Sequence, residues 1–249
     1  MKNSQAKQLF KKLAIVMLVL VMLLPQGVLA KGKKVRYTQP GVTVESDVPY
    51  INYVTIKDIK DSLKGKGPIN VSFDIDDTLL FSSQYFQYGK TMLTPGSFDF
   101  LQDQKFWDLV AERGDEDSIP KKSMEALIKM HMERKDNIYF ITGRTRGSQY
   151  KEGEIDKTCK SLQRYYGIKN LNPIYYTADT IKEGFNYDKS YYIKKLDIDI
   201  HYGDSDDDIL AAKEVGARPI RVFRAINSTN MPLPQAGGYG EEVLRGSMY

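Results

Sequence analysis

The sequence predicts an α/β fold: a parallel sheet with helices on both faces and a small cap inserted after its first strand. Short apolar runs of strand length recur at 69–75, 137–141, 173–176, 198–202 and 219–222, and runs apolar throughout belong to strands buried on both faces. Helical spacing fills the intervals at 123–134, 153–166, 189–196 and 205–215, the alternation that builds a parallel sheet. Three of the runs also end on polar residues of matching chemistry, Asp74/Asp76, Thr142/Arg144 and Asp204. In such folds ligands bind beyond the carboxyl ends of the strands.

The elements follow in chain order. Lys2, Lys7, Lys11 and Lys12 precede an unbroken apolar run from Leu13 to Leu24, which Pro25 and Gly27 end before Val28-Leu29-Ala30. This is the layout of a secretory signal peptide cleaved after Ala30. Twelve residues fall short of the roughly 20 that span a bilayer, and no cysteine lies near the cleavage point, so a membrane anchor and a lipoprotein are disfavoured. The net charge of +4 matches the lysines of the signal. The remaining chain is near neutral and gives no reason to expect a nucleic-acid polymer as partner. The single cysteine, Cys159, rules out an internal disulfide despite an oxidising destination and reads as a buried thiol.

Residues 31–68 form an N-terminal arm with a short helix at 54–63, closed by Gly65-Lys66-Gly67-Pro68. The core runs from 69 to 225. About 60 residues separate its first strand from its second, too many for a structureless connection. Their aromatic residues mark a cap at about 82–135. Phe100 and Phe106 read as packing residues. Residues 226–249 read as an extended Pro/Gly-rich tail.

The chemistry is densest in Phe73-Asp74-Ile75-Asp76-Asp77-Thr78-Leu79-Leu80. Carboxylates crowded at the end of a buried strand are costly unless a cation or a proton neutralises them. They therefore predict a hard metal and acid–base chemistry in one place. Phosphoryl transfer from a monoester asks for a nucleophile, an acid for the leaving oxygen and positive charge around the phosphoryl oxygens. Asp74 suits the first role and Asp76 the second, while Asp77 and Thr78 support the loop. Thr142 and the Gly143 N–H can bind phosphate. Arg144 either adds charge there or forms an ion pair. An oxygen-only ligand set suits Mg²⁺. Asp208 lies one helical turn beyond Asp204, where it can hold a metal-bound water. Asp206 and Asp207 fall in a first helical turn, which favours acids in any case. His131 and His201 read as structural.

These segments resemble motifs of the haloacid dehalogenase (HAD) superfamily: 73–80 its first, Ile141-Thr142-Gly143-Arg144 its second, and Gly203-Asp204-Ser205-Asp206-Asp207-Asp208 its fourth. Phe81-Ser82-Ser83, Tyr202-Gly203-Asp204-Ser205, Ala225-Ile226-Asn227-Ser228-Thr229 and Pro232-Leu233-Pro234-Gln235-Ala236-Gly237 narrow the resemblance to the bacterial class B acid phosphatases. The resemblance implies a Rossmann-like sheet of the HAD type and metal ligation by Asp74, Asp204 and the Asp76 carbonyl. It also implies a phosphate-binding Lys189, fifteen residues before Asp204, with Lys182 the alternative because 177–188 is about three residues longer than the family pattern. Phe86, Leu101 and Trp107 match an apolar pocket for leaving groups, and Asn230 stands where relatives can carry an aromatic residue. Hydrolysis of phosphomonoesters such as nucleotides and aryl phosphates, phosphotransfer to alcohols, and a periplasmic or secreted homotetramer are the further expectations. Two other readings stay open: a class C-like phosphatase, which the tail disfavours, and an exported binding or adhesion protein on a degenerate scaffold.

Overall fold

The computed structural model describes residues 51–249. The export signal expected at 1–30 and most of the arm that follows lie outside the described residues. Strand β1 (Asn52–Val54) leads into helix α1 (Ile56–Ser62). Thr55 opens α1 by a capping box: its hydroxyl accepts from the Asp58 N–H at 3.2 Å and its own N–H donates to the Asp58 carboxylate at 2.9 Å. Strand β2 (Asn70–Phe73) follows, then the short strand β3 (Leu80–Phe81), helices α2 (Ser83–Tyr88) and α3 (Gln104–Arg113), strand β4 (Ile119–Pro120) and helix α4 (Ser123–Arg134). The remainder alternates: β5 (Asn137–Thr142), α5 (Lys157–Tyr166), β6 (Ile174–Tyr176), α6 (Ser190–Lys195), β7 (Ile200–Gly203), α7 (Asp206–Glu214), β8 (Arg218–Arg221) and β9 (Glu242–Leu244).

Among the described residues, seven strands form one parallel sheet in the order β1-β9-β8-β7-β2-β5-β6. The five expected strands are its central and distal members, and β2 lies between β5 and β7. In register, Phe73 faces Phe140 on one side and Tyr202 on the other, so the residue after it, Asp74, leaves the sheet between two neighbouring strand ends. The sheet is two strands wider than the apolar runs indicate. The tail is not merely extended: β9 inserts between β1 and β8. Three-residue strands flanked by turns carry no periodicity, which is why neither shows in the sequence. Helix α5 also starts later than its spacing indicates, because Asp156 caps it by accepting from the Cys159 N–H at 2.7 Å. The Cys159 thiol is buried, and burial pushes its pKa up to about 12, leaving it inert.

The core is dense around β2. Phe73 and Tyr202 stack at 4.7 Å between ring centroids, with His131 edge-on to both. His131 is buried but satisfied: Asp136 lies 2.8 Å from Nδ1 and the Tyr202 hydroxyl 2.8 Å from Nε2. A neutral ring donating to Asp136 and accepting from Tyr202 uses both nitrogens.

Between β2 and β5 the chain builds a second, smaller apolar cluster from Tyr85, Phe86, Phe100, Phe106, Trp107 and Val110. Gly89 is required there, since a Cβ would lie 2.3 Å from the Phe100 ring. Phe100 and Phe106 are buried inside it. β3 and β4 pair antiparallel at its base, Leu80 opposite Pro120. No helix among the described residues is long and apolar enough to cross a membrane.

Burial depresses the His131 pKa despite the Asp136 hydrogen bond, so the folded state holds the ring neutral where the unfolded chain protonates it. Stability from this group is complete above the unfolded pKa of about 6.5 and is lost as pH falls below it. His131→Gln should cost about 2 kcal/mol at pH 7, because the buried Tyr202 hydroxyl loses its partner and Asp136 loses one of three. In urea titrations the gap to wild type should then narrow between pH 6.5 and 5, by at most about 1.4 kcal/mol per pH unit.

Candidate active site

The carboxyl ends of β2, β5 and β7 and the starts of α6 and α7 converge on one cleft of about 190 Å³. Its walls include Asp74, Asp76, Thr142, Gly143, Arg144, Lys189 and Asp204, with Phe86, Leu101 and Trp107 from the cap on one side. Every residue singled out from the sequence as catalytic, phosphate-binding or pocket-forming lines this cleft, and Asp208 lies directly behind it. Lys182, the alternative to Lys189, is exposed and outside it.

The cleft is organised around buried charge. Asp74, Asp204 and Asp208 bring carboxylate oxygens within 4.8 Å of one another. Lys189 enters between two of them, its Nζ 2.6 Å from Asp74 Oδ1 and 2.5 Å from Asp208 Oδ1. Burial pushes Asp74 well above the ordinary carboxylate range, against the pull of Lys189 and helped by Asp208 and Asp204. Asp204 is raised as well, by burial more than Arg224 offsets. Three carboxylates faced by two cations leave the group short of positive charge. The donors are all oxygen, so the residues fit a hard divalent cation.

Asp208 is held from several sides. Oδ2 accepts from the Ser205 N–H at 3.0 Å and its hydroxyl at 2.8 Å, and Asp208 N–H returns a bond to Ser205 Oγ. Oδ1 meets Lys189 and, at 3.2 Å, His201 Nε2, whose other nitrogen lies 2.7 Å from Ser72 Oγ. His201 is therefore structural in the sense that it fixes Asp208 against Lys189. Gly203 permits this packing, because a Cβ would sit 2.2–2.4 Å from three Asp208 side-chain atoms.

Arg144 is a buried clamp, not a surface ion pair or a free phosphate arm. Nε and Nη2 each donate to Asp76 at 2.7 Å, and Nη1 and Nη2 donate to Asp115 at 2.8 and 2.9 Å. Burial alone would raise Asp76, but the Arg144 guanidinium more than offsets it and holds the carboxyl below its usual range. Asp115 is fixed in turn by the hydroxyls of Thr158 at 2.6 Å and Ser118 at 3.0 Å. Thr142 lies at the end of β5 with its Oγ accepting weakly from the Arg144 N–H at 3.4 Å. Gly143 passes so close to the Asp179 carboxylate that a Cβ would lie 2.5 Å from it.

Asp77 and Thr78 shape the loop. The Thr78 hydroxyl donates to Asp204 at 3.2 Å and the Ser228 hydroxyl to Asp77 at 2.6 Å. Buried Lys121 donates to the carbonyls of Asp77 and Phe223, both at 2.7 Å. Asp206 pairs with Arg221 at 2.9 Å, whereas Asp207 stands exposed on the rim. Sequence reasoning missed Asp115 and Arg224. Arg224 donates from Nε to Asp204 Oδ2 at 2.5 Å. Both look like ordinary turn residues in the chain, and only the fold brings them to the cleft.

The model of the HAD superfamily, subfamily IIIB (acid phosphatase), matches residues 29–232. The class B acid phosphatase of Haemophilus influenzae is 45% identical over 221 residues, covering 88% of this chain and 91% of the relative. That of Haemophilus parainfluenzae is 46% identical over 220 residues, 88% and 91% of the two chains. That of Rahnella sp. is 41% identical over 241 residues, 95% and 98%. The buried aspartates at the ends of β2 and β7, the lysine that bridges Asp74 and Asp208 and this extended similarity lead to one assignment: the chain belongs to the subfamily IIIB acid phosphatases of the HAD superfamily and is a phosphomonoester hydrolase of the class B type.

Proposed function

We propose that this acid phosphatase is an exported, Mg²⁺-dependent enzyme that hydrolyses nucleotides and aryl phosphates through an aspartyl-phosphate on Asp74, and that it also passes the phosphoryl group to alcohols. The observation that carries the mechanism is the division of labour between the two β2-end carboxylates. Asp74 touches Lys189, and Asp76 touches Arg144, so neighbouring acids have separate cationic partners and opposite shifts.

In the first half-reaction an Asp74 oxygen attacks phosphorus, and the bond from phosphorus to the ester oxygen breaks. Asp76 gives its proton to that oxygen as it leaves. Thr142, the Gly143 N–H and Lys189 line the place where the phosphoryl oxygens would lie. In the second half-reaction Asp76 takes a proton from the water that attacks phosphorus, releasing phosphate and restoring the Asp74 carboxylate. An alcohol in place of the water completes transfer instead. Asp74, Asp204 and the Asp76 carbonyl would hold Mg²⁺, which supplies positive charge to the phosphoryl oxygens. Because Arg144 keeps Asp76 below the usual carboxylate range, its proton is available chiefly under acid conditions, which suits an acid phosphatase.

Phe86 and Trp107 give an aromatic leaving group an apolar wall. Asn230, which lines the same cleft, offers no stacking face. Its Oδ1 is engaged by the Met231 N–H at 2.9 Å. Export rests on the signal-like N-terminus. A homotetramer is the assembly we propose, since the class B resemblance implies it and a disulfide-free exported domain gains stability from association.

Hydrolysis of p-nitrophenyl phosphate with and without Mg²⁺ tests the reading. Turnover should vanish with EDTA and fall by at least about 10⁴-fold in Asp74→Asn, as for loss of a nucleophile. Activity that survives that substitution would assign the nucleophile elsewhere. No turnover of any phosphomonoester would point to the binding-protein alternative. Arg144→Gln leaves Asp76 buried without its cation, so its carboxyl should move up and carry the alkaline limb of kcat/KM to higher pH. The lost clamp should lower kcat about 10²-fold. A pH–rate series on the two proteins checks both effects.

A further inference from the structure

Arg224 occupies an unusual position between the carboxylate cluster and the pocket wall. It lies in the loop after β8 and is only 9% exposed. From Nε it donates to Asp204 Oδ2 at 2.5 Å, and Asp77 Oδ2 lies 3.8 Å from the same atom. From Nη1 it donates to the backbone carbonyls of Asn230 at 3.1 Å and Pro232 at 2.7 Å. Asn230, Met231 and Pro232 line the same cleft as Asp204, Phe86 and Trp107. One rigid guanidinium therefore spans a metal-fitting carboxylate and a stretch of main chain that bounds the substrate.

We propose that Arg224 is a positioning residue that couples cation binding at Asp74 and Asp204 to the binding of the leaving group in the aromatic pocket. The inference rests on the nucleotide and aryl reading of that pocket. Arg224 distributes its donors between one anionic acceptor and two neutral ones. When the Asp204 carboxylate shares its charge with a divalent cation, it accepts less strongly from Nε, and the fork then holds the two carbonyls more tightly. The wall from Asn230 to Pro232 is fixed in place, and a leaving group meets a pocket that is already ordered. Linkage makes the effect reciprocal: a bound leaving group raises cation affinity by the same factor. Lysine cannot serve here, because one ammonium on a flexible stem does not reproduce a planar fork with three separated acceptors.

The test needs no catalysis. Trp107 is the only tryptophan in the chain and lines the pocket, so its fluorescence reports adenosine, an alcohol product without phosphate. Titrating the purified protein with adenosine in EDTA and again in saturating Mg²⁺ should give a Kd about fivefold lower with the metal, at the modest end of allosteric couplings. In Arg224→Lys the two Kd values should coincide. Equal Kd values in the wild type, or an undiminished ratio in Arg224→Lys, would overturn the coupling. Should that variant fail to fold, hydrogen exchange of the wild type decides: the amides of Thr229, Asn230, Met231 and Leu233 should gain protection on adding Mg²⁺, and unchanged exchange would overturn the proposal. Adenosine that leaves Trp107 unaffected under both conditions would overturn the proposal together with the nucleotide reading. p-Nitrophenyl phosphate turnover in the same preparation would then show whether the phosphatase mechanism itself stands.

Discussion

The structure depends on holding three aspartates together in a place with little water. Two unit charges 4 Å apart repel by about 4 kcal/mol at an effective dielectric constant of 20, and Asp74, Asp204 and Asp208 crowd to that scale. Lys189 and Arg224 offset part of the repulsion, and the fold supplies the rest of the restraint. β2 and β7 are neighbours in the sheet, so their terminal aspartates must face each other. Residues 189 and 205 start helices α6 and α7 beside those strand ends, which places Lys189 and the Ser205–Asp208 capping box. A scaffold that forces carboxylates together also keeps a strong appetite for a cation.

A second network separates the acid from the nucleophile. Arg144 bridges Asp76 and Asp115, and Asp115 is tied to Ser118 and Thr158. The clamp thus links β2, β5, the end of the cap and α5. Breaking one member would strand a buried charge, which is more costly than the pair is stabilising. The two aspartates separated by one residue consequently behave as different groups, one raised by burial and one held down by its guanidinium.

Much of this was legible in the chain because it is local. Asp74, Asp76, Thr142, Gly143 and Asp204 directly follow apolar strands, so a strand assignment also fixes where the side chains emerge. Lys189 needed the family resemblance to be chosen over Lys182. Arg144–Asp115 and Arg224–Asp204 were not legible. Both pairs are separated by long stretches of chain, and Asp115 follows Gly114 with both residues in the left-handed region, so in sequence it reads as a turn. His201 looked purely structural, since nothing along β7 announces that its ring meets Asp208 across the loop. The strands β1 and β9 were missed because three residues are too few for a pattern, and only their pairing with each other and β8 makes them strands.

Thermal unfolding with and without Mg²⁺ tests the central claim most directly: the buried aspartates at 74 and 204 form a site that a divalent cation relieves. At a hundredfold excess over Kd, Mg²⁺ should stabilise the fold by about 2.7 kcal/mol and raise Tm by roughly 5–10 °C. Asp204→Asn should lose that shift. A Tm indifferent to Mg²⁺, or one that rises equally in Asp204→Asn, would contradict the account.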